Sequence, residues 1–436
     1  MNLILAHGIG SRSDLPVPLW MAMYGGGTAV VISFLVLIAF WRKARYEGTA
    51  QDRPLPGPLT TIFTSRAAGI VGRTIGVAMF AIAVIVLQAG SNNAASNPGS
   101  WWFYIWFWVG LVPLSIMFGP VWRAVNPLRT IAAALRGSPD TISPYPERLG
   151  YWPAALSLFV FVWLELVYTR PSEPAVVLIF LVLYSIFNVA GGMRFGDRWF
   201  DRADGFEVYS TMLASISPIG RRGDGVPVLR SPLQALARVE PRRGLVGVVT
   251  VILGSTAFDG ITRTNWWQGV IEGASDAWYL ASGTLGLLGA IGFVALTFTL
   301  ATRLAPAAPT EDNTQLPGRF VHSLIPIAIG YTVAHYFSLL IFDGQFGYIL
   351  ASDPLDRGWD LFGMGDWLVN YLLVSTAAIA WVQVLAIVTG HVLGVISAHD
   401  RAMVVFPARS KLTGQLPLLS VMVCYTLGGI GLLVGA

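Results

Sequence analysis

Long apolar runs constrain this chain more than any other feature of its sequence. AVVISFLVLIAF (29–40) and VLIFLVLYSIF (177–187) are two examples. With their flanks, such runs reach the roughly 20 residues that a helix needs to cross ~30 Å of hydrocarbon. They lack the alternation of β-barrel strands. Only 12% of the 436 residues are charged, against about a quarter in a soluble protein. The sequence therefore predicts an all-α fold, a polytopic transmembrane helical bundle embedded in a lipid bilayer.

Lys and Arg orient the predicted spans, because the inner loops of membrane proteins are rich in both. If the first residue is outside, 24 of the 28 basic residues fall in inner loops. We therefore expect a multi-pass protein of a bacterial inner (plasma) membrane, with about ten spans and both termini outside. The expected spans are 17–41, 70–90, 101–121, 151–170, 174–193, 245–262, 278–302, 320–342, 367–395 and 415–436.

The domain organisation follows from these spans. We expect a short outer segment (1–16) followed by a single transmembrane helical domain (17–436). Inside the long inner loop, FEVYSTMLASISPIGRR (206–222) is predicted to form a short amphipathic helix at the membrane interface. The predicted basic inner loops are 122–148 and 194–243, and the predicted outer loops are 260–277 and 343–366.

Several function classes are excluded by missing signatures. The net charge of +4 reflects the basic inner loops and does not indicate nucleic-acid binding. No Walker A or HExxH sequence occurs, so the chain encodes neither an ATP-driven pump nor a zincin. The single cysteine, Cys424, excludes a disulfide framework, a Cys-ligated iron–sulfur cluster and a Cys-rich zinc site. The remaining candidates are ionisable side chains within or at the ends of spans, which are functional suspects in membrane proteins.

The first group of candidates lies toward the outer side. Glu165 is in span four, Asp259 and Asp343 end spans six and eight, and His335 lies eight residues before Asp343. A carboxylate at a helix C-terminus is disfavoured by the helix dipole, so each Asp needs a partner such as a metal, an Arg or a proton. These four side chains are candidate ligands of a divalent metal (Zn, Cu or Mn), and Glu165, Asp259 and His335 are candidate catalytic groups. Asp-Gly is also an ordinary turn in which glycine ends a helix.

Histidines provide the other candidate sites. His322 opens span eight and His391 lies near the inner end of span nine, so a single haem b between them is one hypothesis. His7, in the outer segment, would chelate Cu(II) if it were the true N-terminal residue, since amine and imidazole then act together.

Seven stretches together resemble a family of polytopic membrane proteins of actinobacteria and relatives, some of which carry the label fenitrothion hydrolase. The resemblance spans nearly the whole chain. It implies a hydrolase of organophosphate-type esters, a reaction usually performed by a metal-activated water. The stretches are 6–18, 119–130, 148–168, 206–222, 255–267, 334–345 and 390–402.

Three hypotheses of different class follow. The first is a secondary transporter or permease of a metal ion or small solute, with Glu165, Asp259, His335 and His391 as the binding and proton-relay set. The second is a membrane-embedded, metal-dependent ester hydrolase with its site open to the outer face. The third is a haem-binding or accessory subunit that assembles with partner subunits in the membrane.

Overall fold

The computed structural model describes residues 18–46, 52–136, 142–305 and 313–434. The predicted outer segment (1–16), with the candidate ligand His7, lies outside these ranges. Most of the described chain is helical, which confirms the coarse form of the all-α prediction.

Helices follow one another through the described ranges. The first ten are α1 (Leu19–Phe40), α2 (Gly57–Thr64), α3 (Arg66–Ala89), α4 (Pro98–Trp101), α5 (Leu111–Phe118), α6 (Val121–Val125), α7 (Pro127–Leu135), α8 (Trp152–Leu166), α9 (Pro174–Phe195) and α10 (Asp197–Arg202). The next ten are α11 (Gly205–Leu213), α12 (Pro232–Ala237), α13 (Leu245–Thr262), α14 (Asn265–Ile271), α15 (Asp276–Arg303), α16 (Leu316–Phe320), α17 (Ile325–Phe342), α18 (Gly344–Ile349), α19 (Thr376–Val405) and α20 (Leu416–Val434).

Shorter elements complete the fold. A π-helical stretch (Trp102–Val109) joins α4 to α5. Single 3₁₀ turns are formed by Ala214–Ile216, Val321–Leu324, Leu350–Ser352, Ala408–Ser410 and Thr413–Gln415. An antiparallel sheet of order β1-β3-β2 is formed by β1 (Arg53–Pro54), β2 (Ile219–Arg221) and β3 (Pro227–Leu229).

Nine helical segments of the described residues are long and apolar enough to cross a membrane, so the chain is a multi-pass membrane protein. They are Leu19–Phe40, Arg66–Ala89, Pro98–Phe118, Pro174–Phe195, Leu245–Thr262, Asp276–Arg303, Leu316–Phe342, Thr376–Val405 and Thr413–Leu433. The expected span at 151–170 corresponds to α8, an apolar helix of only 15 residues. Its length is about 23 Å, less than the ~30 Å hydrocarbon core. The count of ten therefore stays a prediction that depends on α8.

One predicted boundary is wrong. The span expected at 367–395 begins at Thr376 and continues to Val405. The Gln345 side chain hydrogen-bonds both backbone groups of Asn370. Its Oε1 accepts from the Asn370 N–H at 2.8 Å, and its Nε2 donates to the Asn370 carbonyl at 3.2 Å. The Ser375 side chain then accepts a hydrogen bond from the Ala378 N–H and caps the new helix. These contacts explain why an apolar stretch that precedes Ser375 stays outside the helix.

The described residues group into two compact units. Unit 1 contains 52–136, 142–230 and 338–374, and unit 2 contains 18–46, 231–305, 313–337 and 375–434. The prediction of one transmembrane domain (17–436) stays a prediction beside this division.

The core of unit 1 is aromatic. Phe206 of α11 packs edge-on against Phe161 of α8 and Phe107 of the π-helical stretch, and the Tyr209 ring stacks on Trp108 at 4.5 Å. The predicted interfacial helix at 206–222 is therefore wrong in two respects. Helix α11 ends at Leu213 and is almost wholly buried, and the segment continues into a 3₁₀ turn and β2.

The core of unit 2 is formed by α1, α13, α15, α17, α19 and α20. Glycines allow very close packing of α17 against α19. A Cβ atom added to Gly330 would lie 2.4 Å from the Ala386 carbonyl oxygen, and one added to Gly390 would lie 2.5 Å from that of Pro326. Such small-residue contacts are the usual means by which membrane helices approach closely. One of these contacts, at Gly390, lies directly beside His391.

Candidate functional site

Asp259 lies inside α13, in the last turn of the helix. The interpretation of Gly260 as a helix-ending glycine is wrong, because α13 continues to Thr262. A Cβ atom at position 260 would lie 2.9 Å from Leu432 Cβ, so glycine is needed here for helix packing. This packing leaves Asp259 only 5% exposed. A carboxylate at this depth requires partners.

Two basic side chains contact the same oxygen of Asp259. Arg263 Nη2, one turn further along the chain, lies 3.1 Å from Asp259 Oδ2. His335 Nε2, from α17, contacts that oxygen as well. The His335 side chain is 6% exposed and that of Arg263 is 24% exposed. The partner that the sequence predicts for Asp259 is thus the guanidinium of Arg263 together with the imidazole of His335. The helix dipole favours the positive charge of Arg263 at the C-terminus of α13.

Buried polar atoms without hydrogen-bond partners lie among Asp259, His335 and their neighbours. Among the described residues, His335 Nδ1, the Tyr331 hydroxyl and Arg263 Nε are buried and have no hydrogen-bond partner. The Tyr331 ring stacks on the His335 ring at 6.4 Å, and its hydroxyl would lie 3.2 Å from a Cβ atom at position 260. Buried polar groups without partners are uncommon and often mark functional sites. We call Asp259, Arg263, Tyr331 and His335 the outer-end cluster, after the side of the membrane that the sequence predicts for this end of the spans.

The outer-end cluster has the composition of a proton site. When neutral His335 carries its proton on Nε2, facing Asp259, the lone pair of Nδ1 is free. A second proton on Nδ1 would give an imidazolium beside the carboxylate. Arg263 balances the charge of Asp259 while the imidazole is neutral. Asp259 therefore keeps a cationic partner whether the imidazole carries one proton or two.

The cluster is less suited to a metal. Asp259 Oδ2 is already shared by a guanidinium and an imidazole, and the fixed charge of Arg263 repels a cation at that oxygen. Within the ranges the structure describes, no group of three or more His, Cys, Asp and Glu side chains lies close enough to hold a metal ion. Of the expected ligands, the structure brings Asp259 and His335 together.

Glu165 and Asp343 belong to unit 1, whereas Asp259 and His335 belong to unit 2. Glu165 is the penultimate residue of α8 and is 9% exposed. Asp343 directly precedes α18 but makes no side-chain cap there. Partial burial raises the pKa of Asp343 from its ordinary value to about 6. Both carboxyls stay candidates on chemical grounds.

The two histidines of the haem hypothesis are both buried, His391 on α19 and His322 in the 3₁₀ turn Val321–Leu324. His391 Nδ1 donates a hydrogen bond to the Ile387 carbonyl at 2.9 Å, and its Nε2 has no partner among the described residues. His322 Nδ1 donates a hydrogen bond to the Arg319 carbonyl at 3.1 Å. On either side of His391, α19 touches backbone: a Cβ atom at Gly390 would lie 2.5 Å from the Pro326 carbonyl oxygen of α17, and one at Gly394 would lie 2.7 Å from that of Ser323 in the 3₁₀ turn before α17. The haem hypothesis stays a prediction, and it would require these helices to separate.

A second buried polar cluster was not expected from the sequence. In unit 1, the amide of Asn126 donates hydrogen bonds to Asp204 at 2.8 Å and to Glu207 at 2.9 Å. Arg129 forms a two-point contact with Glu207 and bonds Asp201 at 2.8 Å. Asp204 also accepts the Tyr184 hydroxyl and caps α11. Burial raises the pKa of both Asp204 and Glu207, while Arg129 opposes the rise at Glu207.

Two local signals in the sequence point to this second cluster. Asn126-Pro127 is a cap followed by proline at the first helical position, and Asp204 followed by Glu207 has the spacing of a capping box. Both signals start the helices found, α7 and α11. Neither shows that the two helix starts meet, which is why the cluster could not be predicted.

Comparisons with protein-family models, with curated proteins and with solved structures gave no match to this chain. The resemblance to the actinobacterial membrane family therefore stays a prediction, and the functional argument relies on the geometry of the chain itself.

Proposed function

We propose that this protein is a proton-coupled secondary transporter of a metal ion or other small solute. The observation that carries the proposal is the contact of His335 and Arg263 with one oxygen of Asp259, where Asp259 and His335 lie in candidate membrane spans and Arg263 directly follows one. Ionisable groups are costly in a membrane span and are retained mainly where they bind protons, ions or substrate.

The proposed cycle uses a change in the charge of the outer-end cluster. With neutral His335 the cluster is close to electroneutral, because Arg263 offsets Asp259. A proton on His335 adds one positive charge, which favours a rearrangement of α13 against α17. Loss of that proton restores the first state. Proton movement and solute movement are thereby linked through one carboxylate.

Glu165 and His391 extend the proposal to other depths of the membrane. Each is buried and ionisable, and His391 keeps one ring nitrogen without a partner in the described structure. We propose each as a further station for protons or solute within its own unit, Glu165 in unit 1 and His391 in unit 2. The proposal includes the predicted topology, in which both termini lie outside and α8 forms a tenth span.

The ester-hydrolase hypothesis is tested on the same preparation. It requires a metal near Asp259, Glu165, Asp343 or His335, and a nitrophenyl organophosphate with added Zn²⁺ or Mn²⁺ is the probe. Turnover that disappears in Asp259→Asn would favour this alternative over transport.

The transport experiment uses proteoliposomes with a pH-sensitive dye and a metal-sensitive dye in the lumen. Mn²⁺, Zn²⁺ and Co²⁺ are added one at a time, followed by a panel of amino acids and small organic ions. We expect at least one solute to enter with a matching proton flux in the wild type. Asp259→Asn and His335→Gln should abolish the proton flux.

Asp276→Asn is the matched control, because Asp276 lies in the first turn of α15 and is exposed. This variant should transport as the wild type does. Equal proton flux in the wild type, Asp259→Asn and His335→Gln would contradict the proposal.

A further inference from the structure

A non-helical, apolar segment of unit 1, residues 367–374, directly precedes Ser375. We call it the outer apolar segment. It contains no charged residue, and its one amide side chain is that of Asn370. Leu368 is 88% exposed and Leu372 is 93% exposed. Proteins in water rarely expose contiguous apolar side chains to this extent, so the segment indicates an interaction surface.

Contacts with the end of α17 fix the level at which the segment lies. The Gln345 side chain bonds both backbone groups of Asn370, and its Nε2 also donates to the Ile341 carbonyl of α17 at 3.0 Å. The Tyr371 ring lies 5.5 Å from the ring of Phe342, measured between centroids. Phe342 is the last residue of α17 and of a candidate membrane span. The centre of the segment is therefore level with the end of that span.

The backbone of the segment excludes a position within the hydrocarbon core. Irregular backbone that faces lipid does not occur there, because its N–H and C=O groups would lack partners. Trp367 and Tyr371 both have exposed rings, and such rings concentrate where membrane and water meet. The segment thus matches the membrane interface, where headgroup water reaches the backbone and apolar side chains reach the acyl chains.

The preceding part of the same loop is polar and folded on itself. Asp360 accepts hydrogen bonds from the Ser352 hydroxyl at 2.6 Å and from the Met364 N–H at 2.8 Å. Asp353 accepts the Arg357 N–H at 2.9 Å. All charged residues of the loop precede the outer apolar segment. The loop is thereby divided into a charged part and an apolar part, as in segments that lie on a membrane surface.

We propose that the outer apolar segment inserts Leu368 and Leu372 into the lipid leaflet at this end of α17, which is the outer leaflet in the predicted topology. Gln345 holds Asn370 at the level of the headgroups. Lipid fits this surface better than a protein, because protein interfaces have a polar rim with directional hydrogen bonds. The side-chain oxygen of Asn370 already accepts the Leu372 N–H at 2.9 Å. The inference is independent of the transport proposal, since it uses none of the residues of the outer-end cluster.

The first test measures depth with nitroxide spin labels in proteoliposomes of phosphatidylcholine and phosphatidylglycerol. Leu368→Cys and Leu372→Cys are labelled one at a time in a Cys424→Ser background. Arg357→Cys, at an exposed position in the charged part of the loop, is the matched control. Power saturation compares collisions with oxygen and with a water-soluble nickel chelate. We expect the oxygen-to-nickel ratio to be about fivefold higher at 368 and 372 than at 357, because apolar oxygen concentrates among acyl chains.

Two results of this test would overturn the proposal. Equal ratios at 357, 368 and 372 would place the segment in water. Low collision rates with both reagents at 368 and 372, together with dipolar broadening between labels on different copies, would show that a second copy of the chain covers the segment.

The second test removes the hydrogen bonds that hold the segment to α17. Gln345→Ala deletes the bonds to Asn370, whereas Gln268→Ala deletes an exposed glutamine that donates to the Thr262 carbonyl in another loop. With the label at position 372, we expect a more mobile line shape in Gln345→Ala and an unchanged one in Gln268→Ala. The same line shape in both variants would contradict the role of Gln345 in holding the segment at its depth.

Discussion

Asp259 shows how a single carboxylate is accommodated inside a membrane span. Its Oδ2 atom holds an arginine of the same helix and a histidine of another, so removal of the carboxylate leaves two basic groups at a buried position. Removing one partner of a buried ion pair costs more free energy than the intact pair contributes, because the other partner keeps its charge away from water.

We expect Asp259→Asn to lower the free energy of unfolding by about 2 kcal/mol. This is less than the roughly 3–5 kcal/mol typical when a fully buried pair is broken, because Arg263 is partly exposed. Adding Arg263→Gln should recover part of the loss, since the unpaired charge is then removed. Equilibrium unfolding in mixed micelles measures both. A double variant that is less stable by the sum of the two single effects would show that the pair is not coupled.

Asp343 gives a pH-dependent prediction. Its pKa in the folded protein is about 6, above its ordinary value near 3.8. The folded state therefore holds its proton more tightly than the unfolded state, and this contribution to stability is lost as pH rises from about 4 through 6. We expect Asp343→Asn, which is always neutral, to raise the thermal midpoint at pH 7.5 and to have little effect at pH 4.5. A midpoint difference that grows toward low pH would contradict the assignment.

At the scale of elements, the contact of α17 with α19 depends on glycine. Position 390 has no room for a Cβ atom, whereas nothing lies within 4 Å of a Cβ at Gly289 on α15. Gly390→Ala should therefore destabilise the protein by about 1–3 kcal/mol through overpacking. Gly289→Ala should stabilise it by up to about 1 kcal/mol, because alanine favours helix. Unfolding measurements on the two variants test this, and similar effects of both would refute the close contact.

Helix α8 decides the topology. It is short, but Trp152, Leu156 and Val160 form an exposed apolar stripe along it, as a lipid-facing helix requires. Single cysteines at Ile142 and Arg170, in a Cys424→Ser background, flank this helix. If α8 crosses the membrane, an impermeant maleimide added outside intact cells should label the Arg170→Cys protein and not the Ile142→Cys protein. The same labelling of both positions would show that α8 does not cross.

The sequence supports prediction only where a signal is local. Arg263 could be expected as the partner of Asp259, because residues four apart share one face of a helix. The approach of His335 could not, since it depends on which helices are neighbours. Glu207 is missed for a similar reason: its burial depends on Arg129, which comes from a distant segment of the chain.

At the scale of the whole molecule, each compact unit is assembled from separate parts of the chain. Unit 2 brings α1 together with α19 and α20, and Gly27 of α1 would place a Cβ only 3.1 Å from Leu427. Spans are inserted from the N-terminus as synthesis proceeds. Helix α1 therefore lies in the bilayer without α19 and α20 until the last span has been synthesised. Ribosome-bound chains that stop before α20 should be far more sensitive to protease than the released protein, and a quality-control machinery that recognises unpaired membrane helices would meet α1 first.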